Sequence, residues 1–211
     1  MKPVSICVPV LRRYDKLVEL LLSLRDSTVT PAGVYVIDNG ANPQKLREAV
    51  AVATVPVYID EPGKNIGVAA SWNRFINATE DDRIIVNDDI KFAPDSIERL
   101  VASECDLVWA KGFGFACFVI RDACVDKLGL FDEEISPGYG YYEDDDYLQR
   151  LDGRGTKPRN ATAEEVDCGV EHFHSATLKA ATHEELAEHH RLFKIAQTNY
   201  INKWNLQETF K

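Results

Sequence analysis

An α/β fold on a mostly parallel sheet is what this sequence predicts, and three observations carry the prediction. Over the first ninety residues, short β-rich apolar runs alternate with stretches whose apolar residues recur at helical spacing. The apolar runs end in turn or breaker residues, as at Asp38-Asn39-Gly40 and Asn87-Asp88-Asp89. A chain of 211 residues with 45% apolar content can bury one core without disulfide staples.

The elements follow in order. Val4 to Val10 reads as a strand, and Leu17, Leu20, Leu21 and Leu24 mark the helix after it. Val34 to Ile37 is a second strand, Pro43 to Ala53 suits a helix, and Val55 to Ile59 is a third strand closed by Asp60-Glu61-Pro62-Gly63. Gly67 to Ala78 reads as a helix and Arg83 to Val86 as a fourth strand. Such alternation implies right-handed crossovers with helices on both faces of the sheet. Further on, Asp106 to Ala110 and Phe115 to Ile120 read as strands, and Arg121 to Leu128 as a short helix stopped by Gly129. Ser136 to Gly140 is a glycine- and aromatic-rich loop before a helix over Glu143 to Leu151, and Val166 to His174 holds room for another strand. Thr182-His183-Glu184-Glu185 fits a capping box that opens a long helix running to about Trp204. Its periodicity is compatible both with packing on the domain and with a homodimer contact.

The formal net charge of −10 argues against a nucleic-acid partner gripped through a basic face. The charge is concentrated. Glu80 to Asp89 carries five acids against Arg83, and Asp132 to Asp146 carries seven acids and no base, so the rest of the chain is close to neutral. Charge runs are usually solvated faces, but two such windows also suit a cation site. Five cysteines without metal-site spacing suggest a reducing compartment. With no signal-peptide pattern and no apolar run of membrane-spanning length, a soluble cytoplasmic protein is expected.

In a parallel α/β sheet, ligands sit beyond the carboxyl ends of the strands. Neither GxGxxG after the first strand nor GxxxxGK[ST] is present, which disfavours ordinary dinucleotide and P-loop chemistry. What does stand at strand ends is Pro9-Val10, Asp38-Asn39, Asp60 and Asn87-Asp88-Asp89. Carboxylates delivered by an apolar strand suit Mg²⁺ or Mn²⁺, hard cations that commonly retain diphosphate oxygens as partners. Asn-Asp-Asp is equally good turn chemistry. Glu143-Asp144-Asp145-Asp146 opens a helix, where acids complement the dipole, yet four exceed what capping needs and one is available as a general base. His172 and His174 alternate onto one side of an extended segment, a placement open to one metal ligand. His183, His189 and His190 read as surface positions without a role.

The order of these pieces resembles the nucleotide-sugar-dependent glycosyltransferases of the GT-A fold, family 2. The segments are Val4 to Val10, Val36-Ile37-Asp38-Asn39-Gly40, Asn65 to Asn73, Val86 to Ile90, Gly129 to Glu133, Tyr142 to Tyr147 and the His172 segment. The resemblance implies a single Rossmann-like GT-A domain over 1–211. Its parts would be a nucleotide-binding half at 1–90, an acceptor and catalytic half at 91–180, and a C-terminal helix at 181–211. It also implies that Pro9 and Val10 line the base pocket, that Asp38 contacts the base, and that Asn65, Gly67 and Asn73 shape the nucleotide side. Asn87-Asp88-Asp89 takes the place of the family's Asp-x-Asp motif, with Asp88 near ribose and sugar and Asp89 as metal ligand. Asn87 departs from the pattern and gives up one charge beside the metal. Asp144 matches the catalytic base and Glu143 its neighbour, with His172 the first choice and His174 the second for a further ligand to Mn²⁺ or Mg²⁺. The implied reaction is inverting transfer of a glycosyl group from a UDP-, GDP- or dTDP-sugar to a hydroxyl of a glycan, lipid, small molecule or protein. Tyr139, Tyr141 and Tyr142 are candidates to stack on a sugar. Two rival readings are a nucleotidyltransferase acting on a sugar phosphate, which normally shows a glycine-rich segment after the first strand, and a nucleotide-sugar-binding module without catalysis.

Overall fold

The computed structural model describes residues 2–138, 140–153, 160–173 and 181–206. Its strands are β1 (Val4–Val10), β2 (Gly33–Asp38), β3 (Val57–Asp60), β4 (Asp82–Val86), β5 (Ile90–Lys91), β6 (Leu107–Ala110), β7 (Gly114–Ile120), β8 (Ala163–Val166) and β9 (Glu171–His172). The helices are α1 (Tyr14–Ser23), α2 (Pro43–Val50), α3 (Val68–Ala78), α4 (Ser96–Ala102), α5 (Asp122–Leu128), α6 (Glu143–Leu151) and α7 (His183–Trp204). Seven strands form one sheet in the order β3-β2-β1-β4-β7-β6-β8, and β5 pairs with β9 in a separate two-stranded sheet. Within the large sheet only β7 is reversed, antiparallel to both β4 and β6; the other pairings are parallel. This is the mostly parallel α/β architecture that the alternation of runs predicts.

Period-two alternation sorts the core onto the two faces of the sheet. Ile6, Val8 and Val10 of β1 pack with Leu17, Leu20 and Leu21 of α1, whereas Cys7 faces the other way, into a cluster with Trp72, Phe75, Phe118 and Tyr147. Side chains of this size contribute about 1.5–3 kcal/mol each when fully buried. Trp72 stands at the centre of the second cluster, its ring edge-on to Phe131 at 4.8 Å and to Phe118 at 5.1 Å.

Some element boundaries move, for local reasons. The third strand starts at Val57 because Pro56 has no amide to pair; its carbonyl accepts from Val34 instead, at 2.9 Å. Helix α2 stops at Val50, with Asn42 capping the Lys45 amide at its start. The short elements β5 and α4 fall where no expectation was formed; β9 lies inside the segment expected to hold a further strand, and β8 ends at its first residue, Val166. The capping box at Thr182 is present, with the Thr182 amide donating to Glu185 at 2.7 Å. Among the described residues, no helix is long and apolar enough to cross a membrane.

Candidate active site

A cleft of about 620 Å³ opens at the carboxyl ends of β1, β2 and β4. One wall comes from the end of β1 and the turns after β2 and β4: Pro9, Val10, Leu11, Asn39, Asn87, Asp88 and Asp89. The reversed strand β7 starts at this edge, so Gly114, Phe115 and Ala116 form its floor, and the Asn87 amide donates to Ala116 at 2.9 Å. The facing wall holds Val68 and Trp72 of α3 together with Gly140, Tyr141, Glu143, Asp144 and Leu148.

Asp89 and His172 meet because of the small sheet. Residues 90 and 172 are register partners in the β5–β9 pair, and the Phe173 amide donates to the Asp89 carbonyl at 3.1 Å. That pairing places His172 Nε2 3.0 Å from Asp89 Oδ1, with both side chains largely buried. Asp88 is also buried. Burial pushes its carboxyl up to about 7, and the neighbouring Asp89 charge adds to the shift. Among the described residues, no group of three or more His, Cys, Asp or Glu side chains converges as a self-sufficient metal cage.

On the opposite wall, Glu143 and Asp144 occupy the first turn of α6. Tyr141 and Tyr142 precede them with φ of +104° and +68°, in a region that costs an L-residue on the order of 1–3 kcal/mol. The Asp145 amide donates to Asp144 Oδ1 at 2.9 Å, leaving Oδ2 as the oxygen not engaged there. Burial raises the Asp144 carboxyl above its ordinary value, which brings a general base nearer to working pH. Glu143 is pushed further, to about 8, by burial first and the Asp144 charge second. Its Oε2 is buried without a hydrogen-bond partner among the described residues. A carboxyl raised in the folded state stabilises fully below its ordinary value of 4.5 and loses that contribution as pH rises through about 8. Glu143→Gln is therefore expected to flatten the fall in thermal midpoint between pH 5 and pH 8; an unchanged slope would remove Glu143 as its cause.

Residues 5–107 match the family model described as Glycosyl transferase family 2. Comparison with curated proteins finds no match. Among solved structures, glucosyl-3-phosphoglycerate synthase from Mycobacterium tuberculosis, in complex with Mn²⁺, UDP and glucosyl-3-phosphoglycerate, is similar at TM-score 0.65 and 13% identity, covering 99% of this chain and 82% of that one. The mannosyltransferase PcManGT from Pyrobaculum calidifontis, in complex with GDP-Man and Mn²⁺, is similar at TM-score 0.61 and 16% identity, covering 97% and 72%. At such identities the likeness establishes the fold, that of the GT-A glycosyltransferases.

Of the residues expected at a glycosyltransferase site, Pro9, Val10, Asn65, Gly67, Asn87, Asp88, Asp89, Glu143, Asp144 and His172 line this one cleft. His174 and Tyr139 lie outside the described residues. Asp38 and Asn73 are placed elsewhere. Asp38 is fully buried and accepts from the Tyr14 hydroxyl at 2.5 Å and from the amides of Gly40 and Asn42. It shapes the turn after β2, and its neighbour Asn39 faces the cleft. Asn39 accepts from the Ile66 amide and donates to Ser71, tying that turn to the start of α3. Asn73 clamps the Phe131 backbone from both sides, at 2.9 Å each way. The reading of His189 as a surface residue is corrected: it is buried, reaches the cleft and lies 3.1 Å from the Tyr141 hydroxyl. The sequence signal for it was the i, i+4 spacing of Glu185, His189 and Phe193, one face of a helix. Tyr141 also lines the cleft, whereas Tyr142 packs on Phe193 and Tyr200.

Gly67 shows how closely the start of α3 approaches the loop before α6. Its φ is +87°, and a Cβ there would overlap the Gly138 carbonyl oxygen. Gly67→Ala meets both a left-handed backbone and a fixed carbonyl, so a loss of about 2 kcal/mol or more is expected. In a chain of this size that is a fall of roughly 4–8 °C in thermal midpoint. A midpoint within 1 °C of the original would contradict the close approach.

Proposed function

We propose that this chain is an inverting glycosyltransferase that moves a glycosyl group from a nucleoside-diphosphate sugar to an acceptor hydroxyl, with Asp144 as general base. The observation that carries the reading is that one cleft is lined both by Asp144 and by the Asp89–His172 pair. The family match and the nucleotide-sugar complexes of similar folds support it.

Pro9, Val10 and Asn39 offer a surface for the base, and Asn65 and Asn87 offer amide groups for the ribose and sugar. Asp144 takes the proton of the acceptor hydroxyl. The acceptor oxygen attacks the anomeric carbon as the bond to the diphosphate oxygen breaks, so the nucleoside diphosphate leaves with the bonding pair. One base suffices because the transfer is a single displacement. Glu143, protonated at neutral pH, can donate a hydrogen bond to an acceptor oxygen beside Asp144.

The residues fit a divalent cation such as Mn²⁺ or Mg²⁺. Neighbouring ligands of a hard octahedral cation, each at about 2.1 Å, lie about 3 Å apart, and the Asp89 and His172 atoms are separated by 3.0 Å. Two protein ligands leave positions for diphosphate oxygens and water. When bound there, the cation would offset the charge that grows on the leaving diphosphate. In this reading residues 1–90 are the donor half and residues 91–180 the acceptor and catalytic half, and the C-terminal helix reaches the cleft through His189.

The test is a donor panel of UDP-, GDP- and dTDP-sugars with Mn²⁺, following nucleoside diphosphate release with and without simple hydroxyl acceptors. Turnover with at least one donor is expected, and chelation by EDTA should suppress it. Release of pyrophosphate from a nucleoside triphosphate and a sugar phosphate would overturn the reading in favour of nucleotidyl transfer. Donor binding without turnover under every condition would leave a binding module.

A further inference from the structure

We propose that His189 and Phe193 of α7 are positioning residues that hold Tyr141 and Tyr142 in their left-handed backbone conformations, and so set the direction in which Glu143 and Asp144 enter the cleft. The proposal rests on the glycosyltransferase reading above and concerns a part of the chain beyond the matched residues 5–107.

The helix that carries the base begins without a side-chain cap. Its entry is set by two successive tyrosines at positive φ, a conformation that their own Cβ atoms oppose. Something outside the loop must hold it, and α7 supplies the contacts. Tyr141 lies edge-on to His189 at 5.1 Å and to Phe193 at 5.0 Å, and its hydroxyl is within hydrogen-bonding distance of His189 Nε2. Tyr142 packs against Phe193 at 5.5 Å. The Tyr142 carbonyl accepts from the Asp146 amide at 2.9 Å, so the backbone at Tyr142 is the first rung of α6. At the other side of the two acids, Trp204 Nε1 donates to Asp146 Oδ1 at 3.0 Å. One helix therefore contacts the chain at Tyr141 and Tyr142 just before Glu143-Asp144 and at Asp146 two residues after. A base must sit within hydrogen-bond reach of the proton it removes, and small displacements of a catalytic group cost rate rather than donor affinity.

The experiment uses the full chain, Mn²⁺ and a nucleotide sugar that turns over, with nucleoside diphosphate affinity measured by calorimetry. His189→Ala and Phe193→Ala are expected to lower kcat at least tenfold while donor KM and nucleotide affinity stay within twofold. Tyr142→Gly placed in the Phe193→Ala background should recover kcat at least threefold, because glycine adopts positive φ without being held. A purely structural contact would give no such recovery. Wild-type kcat in both single variants, or an equal loss of kcat and donor affinity, would overturn the proposal, as would a glycine that restores nothing. If the unmodified chain releases nucleoside diphosphate from no donor, the functional reading fails by that result alone. Amide exchange at residues 143–146 then decides the clamp: at least tenfold faster in Phe193→Ala supports it, and unchanged exchange refutes it.

Discussion

Asp144→Asn is expected to lower glycosyl transfer by about 10²–10⁴-fold, the range for loss of a positioned general base, while donor affinity stays within twofold. Asparagine keeps the shape of the side chain, and its Oδ1 can still accept from the Asp145 amide. What it loses is the ability to take a proton. Two neighbours compete for the role proposed for Asp144, and each differs from it in burial or charge state. Glu143 is raised to about 8, so at neutral pH it already carries the proton that a base would have to accept. Asp145 is more open to solvent, and its amide serves Asp144. Asp144 is raised above the ordinary carboxylate range, chiefly by burial. The acid limb of the kcat profile should accordingly lie above that range in the wild type and vanish in the asparagine variant. Full activity in Asp144→Asn would move the base to another side chain.

The sheet was legible because its first half obeys simple periodicity, and turn residues stop its strands at the edge where the cleft opens. Asp38 shows the limit of that logic. Strand alternation turns adjacent residues to opposite sides, and the sequence does not say which of Asp38 and Asn39 faces outward. The Tyr14 hydroxyl, twenty-four residues away, settles it by holding Asp38 inside. The acidic windows carried a similar ambiguity. Asp81 and Asp82 lie at the amino end of β4, where Asp81 accepts from Ser5 and Asp82 pairs with Arg121 at 2.9 Å. Asp88 and Asp89 lie at its carboxyl end, so a single charge run serves two opposite edges of the sheet. In the second window, Asp146 is buried against Arg150 and Lys203, and Asp132 pairs with Lys203 at 2.7 Å. Asp81 and Asp82 are therefore half-buried and paired, whereas Glu133 is exposed and accepts from Asn73. About half of the concentrated charge thus holds the scaffold together. His189 was missed because the spacing of Glu185, His189 and Phe193 marks one face of α7 but not what that face docks against, which is a tertiary fact.

Asp89→Asn and His172→Ala are each expected to weaken nucleoside diphosphate binding at least tenfold when Mn²⁺ is present, and to leave binding in EDTA unchanged. The logic is electrostatic. In the proposed function Asp88 and Asp89 would face a ligand that is itself an anion, and at 4 Å two like charges near a protein surface repel by roughly 4 kcal/mol. A cation held between them reverses the sign of that term, so affinity should depend on metal through the residues that hold it. The histidine variant is the cleaner of the two. The β5–β9 pairing is made by backbone groups, which leaves residue 172 in register with Ile90 whatever its side chain. The two single variants should also be non-additive, because removing either ligand disables one shared ion. The double variant should then bind nucleotide about as weakly as the worse single one, and the Mn²⁺ concentration giving half-maximal activity should rise in all three. Undiminished Mn²⁺ dependence in His172→Ala would reduce the Asp89–His172 contact to a structural hydrogen bond, and the leaving diphosphate would have to be stabilised by other groups.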